Sequence, residues 1–136
     1  MRSSNSAKLA FIIGIACLSN SPGNSLAAES PRQKITCSFV EKMDVEVAFD
    51  VPAKLGDLPD IDFPYPVKAT LFSFHDGNLR LVAMDGDDPS RVRIVILAQS
   101  RKGQKTYDGQ ILVDMGGNSL QLANGPVSCA VGSAAK

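Results

Sequence analysis

The 136-residue sequence predicts an all-β protein, a single small antiparallel barrel or sandwich of about eight short strands, its first and last strands linked by a disulfide. Three observations carry that expectation. From Ile35 to Val51 apolar residues recur at every second position, with Glu41 the only break, the period of a half-buried strand. Two dipeptides suited to tight hairpins, Asp76-Gly77 and Gly116-Gly117, lie between further alternating runs. No stretch shows the three-to-four-residue apolar period of a helix, so helical crossovers and parallel strands are not expected.

The elements follow in order. Arg2 and Lys8 precede the apolar run Leu9–Leu18, and Ser25-Leu26-Ala27 offers small residues at a cleavage position, so residues 1–27 read as a secretory signal peptide. The apolar run is too short to span a bilayer, and no transmembrane segment is expected in the mature chain. Residues 28–33 read as a flexible mature N-terminus and residues 34–136 as one β domain. A minor alternative anchors the chain by a lipid on Cys17. Gly14-Ile15-Ala16-Cys17 has the small residue before the cysteine but lacks a leucine three positions upstream.

Ile35, Cys37 and Phe39, then Met43, Val45, Val47, Phe49 and Val51, share one strand face. Residues 40–42 contain no turn former, so a bent long strand or a three-residue connection is expected there. Either one keeps the odd positions together. Around Asp76-Gly77 a type I′ turn sets Phe74 opposite Leu79, Phe72 opposite Leu81 and Thr70 opposite Ala83. The run Arg91–Ala98 places Val92, Ile94, Ile96 and Ala98 on one face. Gly116-Gly117 would set Val113 opposite Leu120 and Ile111 opposite Leu122. A short last strand carries Val127, Cys129 and Val131 after Asn124-Gly125-Pro126. Between residues 100 and 110 either Lys102-Gly103 or Asp108-Gly109 makes the turn, the other a bulge.

After loss of the signal, 12 basic residues stand against 14 acidic ones, a charge of −2. The balance is uneven along the chain: 6 basic and 12 acidic residues up to Ser90, then 6 basic and 2 acidic. No dominant basic excess marks a nucleic-acid footprint. Cys37 and Cys129 remain as an even pair in an exported chain and lie on the apolar faces of the first and last strands. In a closed up-and-down barrel those strands adjoin, and a bond between them is expected. No Cys-x-x-Cys and no histidine cluster points to a metal or a redox cofactor. His75, the only histidine, abuts a turn, with no recognisable nucleophile to serve. The run Asp85–Ser90 lacks the glycine and the distal glutamate of a calcium loop and reads as a polar turn.

One segment resists regular structure. Residues 52–66 hold four prolines, the acids Asp57, Asp60 and Asp62, and the apolar Leu58, Ile61, Phe63 and Tyr65. Two arrangements are open: a partner-binding loop centred on Phe63 and Tyr65 with the three aspartates, or a lid folded over one end of the barrel. An alternative basic face comprises Arg80, Arg91 and Arg93. The expected function is that of an exported, periplasmic or secreted, non-enzymatic binding module engaging a protein or glycan of the cell envelope. The alternatives are a carrier holding a small apolar ligand inside the barrel and, third, an enzyme. An exported barrel with cysteines in its first and last strands resembles the small periplasmic inhibitors of lysozyme. That resemblance is one of architecture, implies an inhibitor-like role and carries no site residues over.

Overall fold

The structure, a computed structural model, describes residues 31–39 and 44–133. The signal peptide, Cys17, the start of the mature N-terminus and the connection at 40–42 lie outside the described residues.

Eight strands follow one another: β1 (Gln33–Phe39), β2 (Glu46–Asp50), β3 (Ile61–Asp62), β4 (Val67–His75), β5 (Asn78–Asp85), β6 (Val92–Gln99), β7 (Thr106–Asp114) and β8 (Leu122–Ser133). They form one antiparallel sheet in the order β3-β2-β1-β8-β7-β6-β5-β4. The sheet curls into a nearly closed barrel rather than a sandwich. Its two edge strands, β3 and β4, are consecutive in the chain, and the gap in the wall lies between them.

Alternation in the first strands survives intact. Cys37 pairs with Val47 and Ile35 with Phe49, a register that joins odd positions to odd positions. β1 and β2 are thus separate antiparallel strands, not one bent strand, with the register a three-residue connection gives. β1 also pairs along its whole length with β8, where Cys37 stands directly opposite Cys129. Those two cysteines are bonded, with S–S 2.09 Å, and both are fully buried. The first and last strands therefore adjoin, as the cysteine placement predicts.

The Asp76-Gly77 turn has positive φ at both central residues, the type I′ requirement. It sets Phe74 opposite Leu79 and Phe72 opposite Leu81. Farther from the turn a bulge intervenes, so Ala69, not Thr70, faces Ala83. Thr70 turns outward and its hydroxyl donates to the Val82 carbonyl. A second bulge lies between Ala83 and Met84, opposite Ile94 and Val92. It reverses the facing expected at the start of β6: Val92 points out and Arg93 points in, only 4% exposed.

The Gly116-Gly117 register is also corrected. Ile111 pairs with Gly125, Val113 with Ala123 and Asp114 with Leu122. Leu120 and Leu122 consequently lie outside, 67% and 60% exposed. Residues 115–121 form a longer loop, built on Asp114 rather than on a glycine pair. β8 runs unbroken through Asn124-Gly125-Pro126, which is strand and not turn. At 100–110 the turn is Lys102-Gly103, where Gly103 has φ +85°. Gly109 belongs to β7, opposite Ala98 in a regular register, where a Cβ would stand 1.9 Å from the Leu97 carbonyl oxygen.

The interior is filled by Ile35, Val47, Leu79, Leu81, Ile94, Ile96, Ile111 and Val113 around the disulfide. Phe49 meets Phe72 edge to face at 5.7 Å, bridging the gap between β2 and β4 from within.

Candidate functional site

Residues 52–66 leave β2, turn back alongside it as β3, and enter β4, so they form a strap along the gap in the barrel wall. Proline holds the strap extended. It is fixed at two levels. In the middle, Ile61 and Asp62 pair with Phe49 and Ala48, and Pro59 is buried. Near its end, the Tyr65 hydroxyl donates to the Met115 carbonyl at 3.0 Å. The Tyr65 ring also lies 4.6 Å beneath the Arg93 guanidinium, a cation–π contact. Phe63 tilts against Tyr65 at 6.3 Å and packs on the core. The two aromatic rings thus fold back on the barrel and hold the strap down.

The anchor under Tyr65 is an ion cluster. Arg93 donates from Nε to Asp85 and from Nη1 to the carbonyls of Asp114 and Gly116. Arg91 donates from Nε to Asp114 at 2.6 Å, and its remaining nitrogens reach the carbonyls of Gly116, Gly117 and Ser119. Asp114 is fully buried and also accepts the N–H groups of Gly116 and Gln121. A buried charge is tolerable only when paired and hydrogen-bonded, and here no buried side-chain polar atom among the described residues lacks a partner. The hydrogen bond from Arg91 holds the Asp114 carboxyl far below the usual carboxylate range, with the Gln121 and Gly116 N–H groups adding to it against desolvation. Asp85 is lowered chiefly by the N–H groups of Asp87 and Asp88, and then by Arg93. Asp88 is lowered by Ser90. The Asp85–Ser90 run is therefore a turn whose carboxylates cap backbone donors.

The three arginines expected as one basic face are not gathered on one. Arg93 is interior, Arg91 is half-buried in its pairings, and Arg80 stands exposed on β5. Asp57, Asp60 and Asp62 are exposed along the strap. His75 is exposed beside its turn, with Nδ1 3.0 Å from Asp76.

What the strap presents to solvent is its tip. A turn closed by the Asp57 N–H on the Lys54 carbonyl, with Gly56 at φ +92°, lifts Leu55 clear of the surface. Leu55 is 94% exposed and Leu58 47%. At the same end of the barrel, Phe74 and Tyr107, 5.2 Å apart, lie with Val131 under a hollow of about 670 Å³. Arg32, Gln33, Gln104 and Lys105 rim it.

The ion cluster was missed by the sequence reading, although one signal for it exists. Arg93 interrupts an apolar run, and a charge placed there requires a partner that Asp114, ending another apolar run, supplies. Leu55 carried no such signal. No family model matches the chain, and neither curated proteins nor solved structures give a match.

Proposed function

We propose that this chain is an exported, non-enzymatic binding module that captures a protein or glycan of the cell envelope through the tip of its strap. The observation that carries the reading is Leu55 and Leu58, held in solvent on a segment already immobilised by proline, by β3 and by Tyr65. A binding loop that is ordered beforehand loses little entropy on association. Phe63 and Tyr65 serve as anchors of the loop, and the leucines are its contacts. Asp57, Asp60 and Asp62 beside them favour a basic partner and a salt-sensitive encounter. Export rests on the N-terminal apolar run and accords with the Cys37–Cys129 bond.

The test is capture from an envelope extract with the purified protein as bait. Leu55→Ser with Leu58→Ser should abolish capture and leave the melting temperature unchanged. Full capture by that folded variant refutes the tip as the contact. A second reading is favoured by the hollow over Phe74 and Tyr107, whose aromatic floor fits a small apolar ligand at the mouth of the barrel. Native mass spectrometry distinguishes it, since a co-purifying ligand lost in Tyr107→Ser supports the carrier.

A further inference from the structure

An antiparallel barrel with an apolar interior ordinarily turns polar residues outward. The outside of β1 and β2 does so, with Lys34, Ser38, Glu46 and Asp50 exposed. The outside of β4 to β7 also carries polar residues, Lys68, Arg80, Asp108 and Gln110 among them, but an apolar band crosses its middle. Leu71, Val82, Val95 and Leu112 stand opposite one another in successive registers and form an apolar row across four strands. Within it, Ile94–Ala98 is an unbroken apolar run, the pattern of a strand covered on both faces.

The two sides of that row differ, and each complements the other. On β6, Leu97 projects on one side and is 55% exposed. On the other side Val92, Leu120 and Leu122, together with Asp88, Arg91 and Asn118, line a groove of about 710 Å³ that reaches Val95 and Leu112 of the row. Both positions lie two or three residues from Val95, roughly 7–10 Å at the rise of a strand. On β5, Arg80 lies on the Leu97 side. The turn that follows β5 carries the exposed Asp87 and Asp88 on the Val92 side.

The geometry points to a homodimer through this face, with a two-fold axis lying along the Leu71–Leu112 row. Rotation about that axis lays the face on its copy and exchanges the two sides of the row. Leu97 of each copy then enters the groove of the other, and Arg80 of each meets the acidic turn of the other. An isologous interface demands such self-complementarity. The row itself carries no charged side chain, so its central contacts bury none.

Sedimentation equilibrium of the purified protein tests the proposal. The expected result is a reversible dimer that Leu97→Asp, and separately Leu122→Asp, converts to monomer. Both side chains are exposed, so the variants should melt like the parent in a thermal scan dilute enough for the parent to be monomeric, while at concentrations where it dimerises the parent melts higher by mass action. Arg80→Asp should weaken the dimer at least about tenfold, and adding Asp87→Arg should restore most of that loss. A parent protein that stays monomeric at about 0.1 mM overturns the proposal. So does a dimer that survives both leucine variants. A charge swap no tighter than Arg80→Asp alone overturns the two-fold register.

Discussion

Two ends of one barrel solve the same problem in opposite ways. Where β5 leads into β6, the wall is finished by charge: Arg91 and Arg93 bind two carboxylates and three loop carbonyls, and Tyr65 covers Arg93. Where β4 turns into β5, the wall is finished by rings: Phe74 and Tyr107 close the core and leave a hollow above them. The ionic end fixes the backbone of two connections, the short 63–66 and the longer 115–121, because each hydrogen bond has a required direction. The aromatic end fixes little beyond its own side chains, and the strap tip beside it is free to project. Directional bonds organise loops; non-directional burial fills space.

The comparison breaks most readily at Arg93. Arg93→Ala should cost roughly 3–5 kcal/mol in denaturant unfolding, the range for removing one partner of a buried ion pair. At the other end Phe74→Ala, a half-buried ring, should cost about 2 kcal/mol, below the usual figure for a fully buried aromatic. Equal losses would erase the distinction between the ends.

Acid sharpens it next. Asp114 and Asp85 both have carboxyls lowered in the folded chain. Their stabilisation is therefore complete above the unfolded carboxylate value near about 4 and drains away as pH falls below it. The urea midpoint should drop between about pH 5 and pH 2, and Asp114→Asn, though less stable at neutral pH, should show a shallower drop. A parallel pH profile for parent and variant would remove Asp114 from the account.

Smaller is Tyr65→Phe, which keeps the ring under Arg93 and deletes the bond to Met115. A loss of about 1 kcal/mol is expected in the same assay. Smallest is Arg80→Ala, on the outer face of β5, which should change monomer stability by less than about 0.5 kcal/mol.

The contrast also explains what was legible in the residues. Alternation over Ile35–Phe39 and Val45–Phe49, the Asp76-Gly77 turn and the paired cysteines are local or simple-parity signals, and each appears in the structure where it was expected. The bulges at Thr70 and Arg93 are not local signals. A single extra residue reverses the facing of everything beyond it, so Val92 and Arg93 exchanged places although Val92, Arg93 and Ile94 alternate in the sequence. Gly116-Gly117 misled for a related reason. Turn chemistry favours a hairpin there, but the buried Asp114 binds the N–H groups of Gly116 and Gln121 and holds open a longer loop. The strap was recognisable by its prolines, while the role of its tyrosine depended on an arginine 28 positions away that only the fold brings over its ring.

The pairing of β1 with β8 sets Gln33 opposite Ser133. The two ends of the domain are therefore neighbours, and the order in which the strands are written along the chain is separable from the order in which they stand in the wall. A circular permutant that joins 133 to 33 through a short glycine-rich link and begins at Lys102-Gly103 keeps every strand pair. The Cys37–Cys129 bond, which now encloses nearly the whole domain, would in that permutant close only the short path through the new link. The same bond would then lose roughly a third of its effect on the unfolded chain, because loop entropy grows only with the logarithm of loop length, while its place in the folded wall stayed the same.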